Sequence, residues 1–237
     1  MGNTILFDLD GTLLPFRQEE FIQAYFKALV RRLSPMGYDS GRLIAALWKG
    51  VDAMVKNEGA VTNRQLFWEV FTGELGMQAL ALESILDDFY AREFDGVRAV
   101  LREDVDHGAL IHTLREKSYT LVLATNPVFP AVAVETRLNW AGLTSADFDY
   151  VTTYENSRRS KPNPAYYQDI LTRTGKRPEE CMMIGNSPSE DMAAQALGLS
   201  VCLVTDYLEN PGDLPINAYP HGSFQELAAY LSALPKL

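Results

Sequence analysis

Residues 5–12 read Ile5-Leu6-Phe7-Asp8-Leu9-Asp10-Gly11-Thr12. Three apolar residues suited to a buried strand run straight into two carboxylates separated by a single residue, then into a Gly-Thr step that turns the backbone. Ligands in an open α/β sheet sit outside the carboxyl ends of the strands. A strand this close to the N-terminus therefore delivers Asp8 and Asp10 to a site. Two acids beside a buried strand are costly unless they are used.

Downstream of this stretch the pattern is helical. Phe21, Ile22, Tyr25, Phe26, Leu29, Val30 and Leu33 recur at three- and four-residue steps, the apolar face of a helix that Pro35-Met36-Gly37 ends. Leu43, Ile44, Leu47, Trp48, Val51, Met54 and Val55 mark a second helix, ending near Asn57-Glu58-Gly59. Thr62-Asn63-Arg64-Gln65 has the spacing of a capping box and opens a third, and a fourth is expected from Leu82 to Phe94.

From about residue 99 strands and helices alternate. Strands are expected at Thr120–Ala124, Phe148–Thr153, Cys181–Ile184 and Val201–Val204. The helices between and around them cover about Asp106–Leu114, a stretch opened by Pro130 and closed by Gly142, Ala165–Thr174, Ser189–Leu197 and Ser223–Leu234. Such alternation predicts an α/β fold, a Rossmann-like parallel sheet with helices on both faces. The expected organisation is a core of residues 1–15 and 99–237 and an inserted all-helical unit of residues 16–98, joined by short hinges near Leu14–Arg17 and Gly96–Arg102.

Composition narrows the functional classes. The 237 residues are 47% hydrophobic, enough to bury a sizeable core, and the net charge of −10 disfavours nucleic acid or an anionic membrane surface as a partner. A small phosphate remains compatible, because one lysine, a metal ion and backbone N–H groups can hold it. Cys181 and Cys202 lie in apolar runs and read as small buried hydrophobes rather than a disulfide. The apolar stretches are too short to cross a bilayer and no cleavable leader is visible, so a cytoplasmic location is expected.

Four separated stretches place reactive residues just after a strand or at the start of a helix. They are Asp8-Leu9-Asp10-Gly11-Thr12, Leu123-Ala124-Thr125-Asn126, Ser160-Lys161-Pro162-Asn163-Pro164 and Ile184-Gly185-Asn186-Ser187-Pro188-Ser189-Glu190-Asp191. In this order the set resembles the haloacid dehalogenase-like hydrolase superfamily, across the whole core, and the helical insertion resembles that family's helical cap.

The resemblance implies a phosphatase acting on a small phosphorylated metabolite. A carboxylate nucleophile suits phosphoryl transfer, splitting one hard displacement into two easier ones through an aspartyl-phosphate. Asp8 is the implied nucleophile, and Asp10 the group that protonates the leaving alcohol and then activates water. Thr125 and Asn126 would hold the phosphoryl oxygens, and Lys161 would neutralise the phosphate and Asp8. The implied cofactor is Mg²⁺, held by a carboxylate oxygen of Asp8, the backbone carbonyl of Asp10, Asn186 and Asp191.

This chain departs from the family pattern in carrying Asn186 where most relatives have Asp, a neutral ligand with less electrostatic hold. Glu190 reads as an acid complementing a helix N-terminus, and His107, His112 and His221 as surface or capping residues. Arg158 and Arg159 read as solvated charges, although either is close enough in sequence to Lys161 to meet an anionic substrate. Trp48, Phe67, Trp68 and Phe71 read as core of the helical unit; Arg17, Lys49 and Lys56 are candidates to face a substrate. Rival readings are a phosphomutase or phosphonate hydrolase of the same superfamily, or a weakly active or inactive member that binds a phosphorylated ligand or a protein.

Overall fold

The computed structural model describes residues 2–237. Its centre is a six-stranded parallel sheet of β1 (Thr4–Phe7), β2 (Thr120–Leu123), β3 (Tyr150–Val151), β4 (Cys181–Gly185), β5 (Ser200–Val204) and β6 (His221–Gly222). The strand order β3-β2-β1-β4-β5-β6 puts β1 in the middle, with Phe7 beside Leu123 on one side and Ile184 on the other. The order reverses at β1, so its carboxyl end is the place where such a sheet opens a crevice for a ligand.

β1 is buried at every position, and its alternate side chains enter two different cores. Ile5 and Phe7 pack with α5 (Gly108–Glu116), α6 (Ala131–Trp140) and α8 (Phe224–Ser232), whereas Leu6 packs with α7 (Pro164–Thr174). Helices thus cover both faces, as the alternating pattern predicts.

Between β1 and β2 the chain forms α1 (Gln18–Leu33), α2 (Ser40–Val55), α3 (Asn63–Leu75) and α4 (Leu82–Arg92). Among the described residues this segment holds no strand. Thr62 and Gln65 form the expected capping box. Aromatic packing ties the segment to the sheet domain: Phe94 meets Phe21 and Tyr25 edge-on and lies tilted against Trp140, all within the cluster that contains Phe7. The two connections lie side by side, with the Arg102 N–H donating to the Pro15 carbonyl at 2.9 Å.

Several sequence expectations need correction. The helix expected at 189–197 is a 3-10 segment, Met192–Leu197, because the preceding residues are committed to the site. The strand expected at 148–153 shortens to Tyr150–Val151, since the Phe148 N–H turns back to Ser145 O and the Thr153 N–H goes to the Asn156 side chain. The fourth helix stops at Arg92, followed by a 3-10 segment from Phe94 to Val100. Trp48 is 45% exposed and lies outside the core that Phe67, Trp68 and Phe71 join. Strand β6 went unforeseen because two residues carry no period. Both cysteines are free, and among the described residues no helix is long and apolar enough to cross a membrane.

Candidate active site

Asp8 directly follows β1, and its N–H donates to Ile184 O at 2.8 Å, which keeps the acid at the strand end. Gly11 then turns the chain at φ +73°, a conformation that disfavours any side chain. A Cβ there would also stand 2.1 Å from Asn186 Nδ2, so this glycine lets the first and last motifs approach. Gly185 plays the same part for Asp191, whose carboxyl carbon would lie 2.1 Å from an added Cβ.

Lys161 is the hub. Its side chain is 1% exposed, and Nζ donates to Asp8 Oδ1 at 2.8 Å and to Asp191 Oδ1 at 2.6 Å. Burial alone would lower the ammonium's pKa, but Asp191 and Asp8 outweigh it and hold the lysine protonated well above its usual value. Burial raises Asp191, against the pull of Lys161. The second oxygen of Asp191 accepts from the Ser187 N–H at 2.9 Å, so both its oxygens are engaged within the protein.

Asp10 is held differently. Its Oδ2 accepts from Arg137 Nη1 at 2.5 Å, while its Oδ1 is buried without a partner. Burial is the largest influence on its carboxyl, opposed by Arg137, and the balance raises it to about 6. Arg137 comes from α6, is wholly buried, and lies over the Phe129 ring at 4.3 Å. No motif in the sequence marks it. The available signal was a charged residue at a position where Ala133, Val134 and Leu138 mark the buried face of a helix.

Thr125 is 3% exposed, and its carbonyl accepts from Thr152 Oγ1 at 2.7 Å and Tyr166 Oη at 2.9 Å, which pins the loop after β2. Asn126 links the other motifs, accepting from the Lys161 N–H at 3.3 Å and donating to Glu190 Oε2 at 3.2 Å. Glu190, expected to complement a helix N-terminus, instead precedes a 3-10 segment, is half-buried and lines the cavity, and burial raises it to about 7. Asn186 donates from Nδ2 to Tyr207 O at 2.6 Å, which turns its Oδ1 away from that carbonyl. An aspartate could not make this bond, since a carboxylate has no donor.

The structure thus brings Asp8, Asp10, Thr125, Asn126, Asn186 and Asp191 to one cavity of about 190 Å³, with Lys161 bonded to two of its acids. It does not bring Lys49 or Lys56, which pair with Glu74 and Asp52 on the surface. Arg17 is exposed and borders a wider groove beside the site with Gln18 and Asn186. Arg158 and Arg159 tie the core to the insertion through Ala60 O and Glu58 O. His107 bonds Leu13 O at 2.8 Å, His112 pairs with Glu116, and His221 is exposed. Among the described residues no three acids, histidines or cysteines are arranged as a metal cluster. The implied Mg²⁺ set is of another kind, oxygen donors that include a backbone carbonyl and an amide. Asn186 Oδ1, turned away from Tyr207 O, and the excess of acids around Asp8 fit a hard cation.

Comparison with known proteins bears on this arrangement. Residues 3–198 match the haloacid dehalogenase-like hydrolase family. The chain belongs to that family. It is a hydrolase, as the four motifs predict. It is 30% identical to a phosphoglycolate phosphatase of Aliivibrio fischeri over 96% of each chain. It is also 28% identical to a ribulose-1,5-bisphosphate 5-phosphatase of Halopiger xanaduensis, covering 86% of this chain and 84% of that one. The fold is shared with a phosphatase of the family from Thermococcus onnurineus, with a TM-score of 0.60 over the full length of both chains at 21% identity.

Proposed function

We infer that this hydrolase cleaves small phosphomonoesters through an aspartyl-phosphate on Asp8, with Mg²⁺ as cofactor. The observation that carries the reading is the Lys161 ammonium, buried and shared between Asp8 and Asp191. A cation fixed there lets a carboxylate meet a dianionic phosphate without prohibitive repulsion. Relatives named as phosphatases over nearly the whole length support the same chemistry.

In the first step Asp8 attacks phosphorus, and the bond from phosphorus to the leaving oxygen breaks as the Asp8–phosphorus bond forms. Asp10, whose carboxyl is raised by burial, gives its proton to the departing alcohol. In the second step Asp10 takes a proton from water, which attacks phosphorus, frees Asp8 and releases inorganic phosphate. Thr125, Asn126 and Lys161 hold the phosphoryl oxygens, and Arg137 holds Asp10 in place. The residues that would hold Mg²⁺ are the Asp8 carboxylate, the Asp10 carbonyl and Asn186 Oδ1, with Asp191 beside them through Lys161. When bound, the ion supplies positive charge against the phosphoryl oxygens.

Residues 16–98 act as a cap on a core of residues 1–15 and 99–237. Val51 and Val55 of α2 line the cavity, and Asn63 at the start of α3, wholly buried, donates to both Pro127 O and Ser160 Oγ. Two free cysteines suit a reducing compartment such as the cytoplasm. Hydrolysis of p-nitrophenyl phosphate with and without Mg²⁺, in wild type and Asp8→Asn, tests the reading. Turnover that needs the metal and vanishes in the variant is expected; metal-independent turnover, or turnover unaffected by Asp8→Asn, contradicts it.

A further inference from the structure

The cavity above Asp8 has two unlike ends. The reactive groups supply one; Val51, Val55, Val128 and Phe129 supply the other, and Gln18 and Glu209 lie where the cavity meets the adjoining groove. The cavity's volume of about 190 Å³ is well under the roughly 300–1,000 Å³ of sites that take drug-sized ligands. On the apolar side little space is left once a phosphoryl group is seated; on the other side the cavity shares Asp10, Gln18, Asn186 and Glu209 with the groove of about 570 Å³ that Arg17 borders. A second cavity of about 50 Å³ shares Val51, Val128 and Phe129 with the first and continues the apolar lining through Tyr25, Phe26 and Leu47.

The charged residues that line the first cavity itself are all acidic, while Arg17 lines only the adjoining groove. Among the described residues no lysine or arginine lines the first cavity, whereas Glu190 and Glu209 do. Lys161 below it is already shared between two acids, and Arg137 stands behind Asp10 with no exposed surface. The lysines on and just after α2 point elsewhere: Lys49 reaches Glu74 at 2.7 Å and Lys56 reaches Asp52 at 2.8 Å, while Val51 and Val55 face the cavity. A second anionic group seated at the apolar end would press against its wall and lie beside carboxylates, and an unpaired buried charge is expensive.

We propose that Val51, Val55, Val128 and Phe129 form a leaving-group subsite that selects phosphomonoesters of compact alcohols bearing no second anionic group. The proposal rests on the phosphomonoesterase reading above. It also separates this chain from the relatives whose names specify phosphoglycolate, with its carboxylate, or ribulose bisphosphate, with its second phosphate. Identities of 30% and 28% leave most positions, those of the wall included, free to differ.

The test compares 2-phosphoglycolate with 2-hydroxyethyl phosphate, which differ by a carboxylate against a hydroxymethyl group. With the full-length protein and Mg²⁺, kcat/KM is expected to favour 2-hydroxyethyl phosphate by about tenfold or more. Equal or reversed values overturn the proposal. Val55→Lys, which brings a cation to the wall, is expected to narrow that ratio by about tenfold, whereas Val55→Leu leaves it in place. A ratio unmoved by the lysine overturns the placement of the subsite. Calorimetric affinities of both esters for Asp8→Asn read the same preference without turnover. Failure of every phosphate ester to turn over, p-nitrophenyl phosphate included, thus contradicts the hydrolase reading, while the affinity ratio still decides the subsite.

Discussion

The floor of the site and its roof are built by opposite means. On the floor, Asp8, Lys161 and Asp191 are nearly free of solvent, and each is tied to at least one of the others by a charge-assisted bond. The roof is held by packing, with Phe21, Tyr25, Phe94 and Phe129 in mutual ring contact and no charge on the wall that faces the cavity except at the rim. Charges in a low-dielectric floor tolerate no exchange, whereas an apolar wall accepts any residue of similar volume. Chemistry is therefore fixed by few residues and selectivity by a surface.

If this contrast holds, the largest effects come from the floor. Lys161→Met leaves Asp8 and Asp191 facing each other without a cation; turnover is expected to fall below detection and the metal-free protein to lose about 3–5 kcal/mol. Urea unfolding with and without Mg²⁺ measures this. A loss below about 1 kcal/mol would mean that the lysine is not the hub of the floor.

Asp10→Asn comes next. Alkyl phosphates are expected to lose about 10²–10⁴ in kcat, and p-nitrophenyl phosphate less, because its leaving group needs little help from a proton. Burial raises the Asp10 carboxyl from 3.8 to about 6, so the folded state holds a proton that the unfolded state has released. The stabilising contribution is complete below the unfolded value and is lost as pH rises through about 6. Thermal unfolding of the metal-free proteins should thus show wild type losing stability relative to Asp10→Asn across that window. Parallel curves for the two proteins would contradict the assignment.

Asn186→Asp acts on the floor more gently. It removes the donor to Tyr207 O and sets two acceptors against each other, at a cost of about 0.5–1.5 kcal/mol without metal, while the added carboxylate tightens Mg²⁺ binding. Calorimetric titration and a melting curve read the two changes, which have opposite signs. The smallest effect belongs to the roof alone. Phe94→Leu is expected to cost about 1 kcal/mol of stability and leave kcat on p-nitrophenyl phosphate unchanged, since Phe94 packs behind the wall. A large loss of kcat there would erase the distinction between the two regions.

The two regions were also unequally legible in the amino-acid sequence. Asp8, Thr125, Lys161 and Asp191 each stand in a short motif beside a strand or a helix start, and a strand end is a place that sequence can mark. The helix expected after Ser189 failed for a related reason. Its residues are good helix formers, but Asp191 bonds Ser187 N–H and Lys161, so the first turn serves the site and regular structure begins only at Met192. The roof was legible as helices and not as a wall. Val51 and Val55 lie one helical turn apart on the same apolar stripe as Leu47 and Met54, and periodicity does not say which part of a stripe meets another residue and which meets a cavity. Arg137 required the tertiary fold, since its partner Asp10 lies far away in the chain.

The account stands most directly on the covalent step at Asp8. Rapid quenching of the wild-type enzyme with Mg²⁺ and p-nitrophenyl phosphate in acid, followed by mass spectrometry of the N-terminal peptide, should find a phosphoryl group on Asp8 that is absent from Asp8→Asn. Steady turnover with no phosphoryl group on that peptide, or a phosphoryl group on another residue, would contradict it.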